Sequence, residues 1–311
     1  MGGQFRWEDI EKNKGTYDWT VPDRFVRVVQ EQGIQLLVLV HPYAAWDQPT
    51  KNNFNYNKPN DMDSFKTFIT AMVERYDNDG TSDMTGLKYP IKYYEIGNEP
   101  EGPSFGDSPG TYNDFMDTVK AAYDAAKAAY PSVKIVIGGA SPAYNTISTS
   151  MADTMLDNFW KGAFNRSNVS SYFDVFNFHF FVGQYTQDIK YYLDYWKGLL
   201  SAYGLSGKDI WLTETGTYKG TSSGPDNTPW PVQSAEYQAS WWVKHSAYSL
   251  ANGIEKLFLV FYYTDQSDWR STVSLVNTDR TTKKAVYYTQ RLLAENIDNF
   301  TSVTQNSYSA A

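Results

Sequence analysis

The sequence predicts an α/β fold of the (β/α)8 barrel type, formed by one domain over residues 1–311. Three observations support this prediction. Short apolar runs recur along the chain, each run is followed by a segment of helical periodicity, and no Pro/Ser-rich linker marks a second domain. A chain of 311 residues with 41% hydrophobic content is long enough for one barrel, although two modest domains would also fit.

The strands are predicted from near-continuous apolar runs bounded by turn residues. Runs without strict alternation are typical of strands covered on both faces, as in parallel sheets. A short strand at "QFRW" precedes six clearer ones. The predicted strands are residues 4–7, 34–40, 91–96, 133–139, 173–180, 209–214 and 256–263.

The helices are predicted between these strands. In "DMDSFKTFITAMVERY" the apolar residues step by one, three or four positions and line one helix face. Asp61, or Asn60 before it, is suited to cap this helix, and Gly33 and Gly253 stand where helix ends favour a left-handed residue. The predicted helices are residues 21–32, 61–76, 111–130, 150–161, 188–203, 233–252 and 283–298.

The count of seven strands and seven helices is one unit short of the eight-fold barrel. A doubly wound open sheet is the alternative. That fold is expected to have a glycine-rich first turn such as GxGxxG, which this sequence lacks.

The charge and residue usage exclude several kinds of partner and site. A net charge of −8 and a pI near 5.0 argue against binding to nucleic acid. The chain has no cysteine, and His41, His179 and His245 form no HExxH pattern, so no metal or other cofactor is predicted. No apolar stretch approaches the ~18 residues of a membrane span. The start "MGGQFRW" lacks the features of a signal peptide, which leaves localisation open, with secretion after signal-peptide removal as one alternative.

Polar residues stand at the carboxyl ends of the predicted strands, where barrels collect their functional groups. Asn98 and Glu99 end one strand, His179 and Glu214 end two others, and His41 follows a fourth. Two glutamates from different strands would therefore face one cavity. Paired carboxylates suit cleavage of a glycosidic bond, because one protonates the leaving oxygen while the other attacks or activates water.

Three segments carry a resemblance to a known group of enzymes. "EIGNEPEG", "WLTETG" and "FRWEDIEKNKGTYDW" resemble motifs of the clan A retaining glycoside hydrolases with (β/α)8 barrels, similar to members of families 39 and 5. They correspond to the Asn-Glu-Pro motif on barrel strand four, the nucleophile motif on strand seven and the segment after strand two. The resemblance runs from residue 5 to about residue 298.

The resemblance implies a hydrolase that cleaves β-glycosidic bonds in polysaccharides or oligosaccharides through a covalent glycosyl-enzyme. Glu99 would be the general acid/base and Glu214 the nucleophile. Asn98 would bond the sugar hydroxyl next to the reacting carbon. His179 would contact the sugar or help set the protonation of the glutamates. Glu101, beyond the proline, is interpreted as a loop residue or a charge near a helix.

Aromatic residues make up 17% of the chain, and rings with a polar group suit contacts with sugars. Trp46, Trp230 and Trp269 lie in predicted loops that would border the cleft, where each is a candidate to stack on a sugar. Packing within the protein is the alternative. Tyr262 is a further substrate-binding candidate, and His41 would either line the sugar site or bond a backbone carbonyl.

Two departures from the clan pattern stand out. Phe181 replaces a tyrosine that many members place two residues after the histidine of strand six, and Tyr185 or Tyr262 is expected to act in its place. The second departure is that the first strand, its helix and most of the second strand are missing. Arg6 is the candidate for the arginine of that second strand. An open barrel edge favours pairing with another chain, so a homodimer is a further expectation.

These departures motivate an alternative function. The chain would then be a catalytically inactive carbohydrate-binding barrel, or a truncated fragment of an enzyme.

Overall fold

The computed structural model describes residues 2–48, 58–101, 112–141, 158–181, 189–223 and 229–297, together with residues 300 and 302. The chain divides into two compact units. Unit 1 comprises Met1–Asn177 and Trp196–Asp209, and unit 2 comprises Phe178–Tyr195 and Ile210–Ala311. The assignment of one domain to the whole chain stays a prediction.

Unit 1 is built on parallel strands that follow one another in the sheet as they do in the chain. Most of their side chains are buried, which explains why their sequences are apolar without alternation. The register pairs Phe5 with Val40 and Asn98 with Gly139. The strands are β1 (Gly2–Arg6), β2 (Leu37–His41), β3 (Tyr93–Asn98), β4 (Lys134–Gly139) and the start of β5 (Val175–Phe181).

The helices of unit 1 begin and end close to the predicted positions. Asp61 caps α3 by accepting the N–H of Ser64 at 3.0 Å, and Gly33 has a φ of +73° just after α2. The helices are α1 (Trp7–Ile10), α2 (Thr20–Glu31), α3 (Met62–Arg75), α4 (Tyr112–Ala129), α5 (described over 158–164), a 3₁₀ turn (Val169–Ser171) and the second half of α6 (Ile189–Ala202). Residues 150–157 of the helix predicted over 150–161 lie outside the described residues.

Unit 2 continues the sheet order from the end of β5 to β6 and then to β9, with β6 and β9 parallel. A separate antiparallel hairpin is formed by β7 and β8. The remaining elements are β6 (Asp209–Gly216), β7 (Gly220–Ser223), β8 (Pro229–Gln233), α7 (Ala235–Ala251), β9 (Lys256–Leu259), α8 (Trp269–Val273) and α9 (Ala285–Ile297). Among the described residues of either unit, no helix combines the length and hydropathy that a bilayer crossing requires.

The last strand is shorter than predicted. Residues 256–263 were expected to be extended throughout, whereas β9 ends at Leu259. Beyond it, the carbonyls of Phe261 and Tyr262 accept the N–H groups of Leu275 and Val276, so the backbone bonds to the segment after α8. The elements α1, α8 and the hairpin were not predicted, because they are too short to show a periodic pattern.

A buried carboxylate organises the loop after β1. Glu11 is 1% exposed, and its Oε2 accepts the indole N–H of Trp7 at 2.5 Å while its Oε1 accepts the N–H of Gly15 at 2.6 Å. Gly15 has a φ of +80°, which a residue with a side chain rarely adopts. The spacing of Glu11 and Gly15 in "EKNKGTYDW" therefore reflects a turn closed around one anion.

Removing this carboxylate is expected to destabilise the protein. In Glu11→Ala the buried indole N–H of Trp7 and the backbone N–H of Gly15 lose their acceptor, so the free energy of unfolding should fall by about 2 to 4 kcal/mol in urea denaturation. The control is Glu31→Ala, at the exposed end of α2, which should change stability by less than about 0.5 kcal/mol. Equal effects of the two substitutions would contradict this account of the loop.

Candidate active site

In unit 1 the candidate residues Asn98 and Glu99 stand at the carboxyl end of β3. Gly97 has a φ of +74°, and Glu99 has a φ of +47°, an uncommon conformation for a residue with a side chain. The N–H of Glu99 donates to the carbonyl of Gly139 at 2.9 Å. The end of β3 is therefore bent by two left-handed residues and remains bonded to β4.

The close approach of β3 and β4 depends on a glycine. A Cβ placed on Gly138 would lie 2.7 Å from the carbonyl oxygen of Ile96 and 3.0 Å from the carbonyl carbon of Gly97. Because those neighbours are backbone atoms, they have little freedom to move away. Glycine at this position thus allows the backbone next to Glu99 to take its observed path.

A second carboxylate lies beneath this strand end. Glu95 is 4% exposed, and its Oε1 accepts the N–H of Gly139 at 3.1 Å and the side-chain N–H of Asn177 at 2.5 Å. Asn177 is fully buried, and its carbonyl accepts the N–H of Ala140 at 3.1 Å. These bonds join the middle of β3, the carboxyl end of β4 and the first half of β5. No sequence pattern predicted a functional role for Glu95.

Glu101 lies in the turn after Pro100, consistent with its interpretation as a loop residue, but it is buried. It is 3% exposed, and its Oε1 accepts the N–H of Ser141 after β4. Burial of a carboxylate is costly unless it is hydrogen-bonded, and here a backbone amide satisfies it. The bond ties the loops after β3 and β4 together at their starting points.

The other unit 1 candidates lie on and after β2. His41 is 3% exposed at the end of β2 and is in register with Arg6 of β1. Arg6 forms an ion pair with Asp9 at 3.6 Å. Trp46 is half-buried, and its indole N–H donates to the carbonyl of Glu11 at 2.7 Å. The roles of His41 and Trp46 as substrate contacts, and of Arg6 as the counterpart of the second-strand arginine, stay predictions.

In unit 2, Glu214 lies on β6 and is 29% exposed at its side chain. His179, at the end of β5, is fully buried, and its Nδ1 is 3.9 Å from Oε2 of Glu214. This separation is longer than a hydrogen bond and within range of an ion pair when the imidazole is protonated. The structure thus brings together two of the predicted residues within this unit.

A buried imidazole packs behind β6. Thr215, next to Glu214, forms a hydrogen bond of 2.9 Å between its Oγ1 and Nε2 of His245. The imidazole stacks on Trp241 at 4.3 Å and on Phe180 at 5.6 Å between ring centroids. Burial lowers the pKa of His245 to about 3, so the ring is neutral near pH 7 and supports β6 without adding charge.

An aromatic cluster surrounds Trp269 in unit 2. Trp269 opens α8 instead of lying in a loop, and it makes edge contacts with Phe181 at 5.9 Å and with Trp230 at 6.4 Å. Trp230 was also predicted in a loop, but it lies in β8, 6% exposed, against Tyr218. Packing against Tyr218 and Trp269 therefore accounts for the burial of Trp230.

The structure describes one of the two tyrosines that were expected to act in place of the missing one. Tyr262 is 49% exposed and makes an edge contact with Tyr287 at 6.5 Å. Tyr185 lies outside the described residues. The substrate-binding role of Tyr262 stays a prediction.

One acidic loop in the described part of unit 1 has the spacing of a metal site. Asp77, Asp79 and Asp83 place carboxylate oxygens within 4.8 Å of one another. Each accepts a backbone N–H of the same loop, at 2.7 to 3.4 Å. The loop's own amides thus bind these carboxylates, and no metal is assigned to them.

Comparisons with known proteins address the family and the fold. The family model described as Cellulase (glycosyl hydrolase family 5) matches residues 5–258. A comparison with curated proteins found no match. Similar solved structures include a glucosidase from Croceicoccus marinus, with a TM-score of 0.67 and 14% identity over 92% of this chain and 55% of that chain. A family 39 glycoside hydrolase from Bacteroides cellulosilyticus WH2 has a TM-score of 0.65 and 16% identity over 96% of this chain and 58% of that one.

Xylanase 10B from Thermotoga maritima is a third such structure, with a TM-score of 0.60 and 14% identity over 94% of this chain and 84% of that chain. The chain therefore spans little more than half of the glucosidase and of the family 39 enzyme. At these identities the likeness is one of fold. Together with seven parallel strands among the described residues, it confirms the predicted α/β fold of the barrel type.

The buried imidazole behind β6 should make stability depend on pH. The unfolded chain protonates His245 below its ordinary pKa of 6.5, whereas the folded protein does so only near pH 3, so stability is lost as pH falls through this window. In His245→Gln the loss between pH 7 and pH 4 should be smaller by up to about 3 kcal/mol.

Urea denaturation at both pH values measures this difference. The control is Lys244→Gln, which alters the adjacent exposed residue of α7 and should follow the parent protein. A His245→Gln protein that loses as much stability as the parent on acidification would refute the assignment.

Proposed function

The chain belongs to the Cellulase family, glycosyl hydrolase family 5, and we propose that it hydrolyses β-glycosidic bonds in polysaccharides or oligosaccharides with retention of configuration. The family match confirms the resemblance carried by "EIGNEPEG" and "WLTETG" and supports the proposal that the chain is an O-glycosyl hydrolase. A carbohydrate substrate follows from this class. The roles of individual residues are part of the proposal.

The observation that carries the proposal is the backbone of Glu99. A left-handed φ of +47° on a non-glycine residue costs on the order of 1–3 kcal/mol, and such strain persists at functional sites because the surroundings impose it. Here the bond from the N–H of Glu99 to Gly139 and the glycine at 138 impose it. The strain supports a role for this side chain at the strand end, where barrel enzymes place their catalytic groups.

The first chemical step joins Glu214 to the sugar. A carboxylate oxygen of Glu214 attacks the anomeric carbon, the bond to the leaving oxygen breaks, and Glu99 gives its proton to that oxygen. In the second step Glu99 takes a proton from water, the water oxygen bonds to the anomeric carbon, and Glu214 leaves as a carboxylate. Two inversions at the same carbon give net retention.

The neighbouring polar residues suit these roles. A protonated His179, 3.9 Å from Glu214, would favour the carboxylate form that attacks the sugar. Asn98 precedes Glu99 on β3 and would bond the hydroxyl next to the reacting carbon. We assign His41, Trp46, Tyr262 and Trp269 to binding of the remaining sugar surface.

The two glutamates are tested by substitution and chemical rescue. Glu99→Ala should lower kcat/KM on phenyl β-glycosides by roughly 100-fold to 10,000-fold, the usual contribution of a general acid. Glu214→Ala should abolish turnover. With azide and a dinitrophenyl β-glycoside, Glu99→Ala should yield a β-glycosyl azide, because azide attacks the covalent intermediate. With azide and the same dinitrophenyl β-glycoside, Glu214→Ala should yield an α-glycosyl azide, because azide takes the place of the missing carboxylate and displaces dinitrophenolate with inversion.

The control is Glu31→Ala on α2, which should match the parent on a panel of aryl β-glycosides. Turnover that survives both catalytic substitutions would refute the residue assignment. A folded parent that turns over no member of the panel would support the alternative, a carbohydrate-binding barrel without activity.

A further inference from the structure

We infer that Glu95 is a positioning residue that holds Glu99 in its working orientation, an inference that rests on the function proposed above. Glu95 is buried on β3, four residues before Glu99, and no role was assigned to it by its motif. Gly97, which stands between the two glutamates, has no side chain.

Gly139 links the two glutamates. Its N–H donates to Oε1 of Glu95 at 3.1 Å, and its carbonyl accepts the N–H of Glu99 at 2.9 Å. A shift of Gly139 therefore changes both contacts together. The left-handed backbone of Glu99 sets the direction of its Cα–Cβ bond. The carboxylate of Glu95 therefore helps to fix the direction in which the acid points.

Asn177 extends the same support to β5. Its side-chain N–H donates to Oε1 of Glu95 at 2.5 Å, and its carbonyl accepts the N–H of Ala140 at 3.1 Å. One carboxylate oxygen thus accepts donors from two neighbouring strands. An ionised acceptor forms stronger bonds than a neutral one, which suits a carboxylate at this junction.

A displaced acid has a signature that a general loss of stability lacks. Departure of 2,4-dinitrophenolate needs no proton, whereas departure of phenolate does, so only the phenyl substrate depends on where Glu99 points. The value of kcat/KM reports the step that forms the glycosyl-enzyme. It therefore excludes the second step, in which both substrates need Glu99 as a base.

The test uses the full chain and the phenyl and 2,4-dinitrophenyl β-glycosides of whichever sugar the parent hydrolyses fastest. In Glu95→Leu, kcat/KM should fall by more than about 10-fold on the phenyl substrate and by less than about 3-fold on the dinitrophenyl substrate. Glu95→Gln keeps a carbonyl acceptor and should show the same selectivity at a smaller size. If Glu95→Leu fails to fold, Glu95→Gln decides the question.

The matched control is Gln30→Leu. Gln30 is also buried and bonds to backbone at two points, the carbonyl of Tyr89 at 2.8 Å and the N–H of Lys88 at 2.9 Å, ahead of the amino end of β3. Gln30→Leu should change kcat/KM by the same factor on the phenyl and the dinitrophenyl substrate.

The outcomes separate the inference from the proposed function. If folded Glu95 variants lose activity equally on both substrates, or lose none, Glu95 does not position the acid. If Glu99→Ala itself shows no preference for the dinitrophenyl substrate, Glu99 is not the acid. The proposed mechanism is then contradicted, whatever the Glu95 variants show. Selective loss in both the Glu99 and the Glu95 variants supports both.

Discussion

The pairing of β3 with β4 is the constraint on which the candidate site of unit 1 depends. The two strands approach so closely at Gly138 that no side chain fits between them, and the backbone after that point bends into left-handed geometry. Hydrogen bonds to Gly139 hold the bent segment from both sides. The orientation of Glu99 is therefore a property of two strands and not of one loop.

Buried carboxylates recur in unit 1, and each is bound by N–H groups. Glu95 accepts a backbone and a side-chain donor, Glu101 accepts the amide of Ser141, and Glu11 accepts an indole and a glycine amide. An anion with such partners is tolerated in a low-dielectric interior, and it fixes the geometry of whatever donates to it. Unit 1 uses acidic side chains as internal connectors as well as for the proposed chemistry.

The sequence was informative where the physical signal is local. Continuous apolar runs identified the parallel strands, and helical periodicity with Asp61 and Gly33 identified α3 and the end of α2 to within one or two residues. The hairpin and α8 were not predicted, because short elements depend on contacts with distant segments. The burial of Glu95 and Glu101 was not predicted for the same reason, since the donors Asn177 and Ser141 lie 82 and 40 residues further along the chain. A motif shows which residue types are present, whereas the hydrogen-bond donors of those residues are known only once the strands are assembled.

The absence of a side chain at Gly138 has a consequence for how this protein can vary. A Cβ at this position would lie 2.7 Å from the backbone oxygen of Ile96. Alanine, usually the mildest replacement, is therefore excluded there as firmly as a larger residue. At the other end of the same strand Lys134 is exposed and faces no such limit. In a deep mutational library β4 would therefore show a gradient of tolerance, from a permissive amino end to a carboxyl end where one amino acid survives. Sequence variation near this strand end is therefore expected in the loops and side chains beyond it, and not at Gly138 itself.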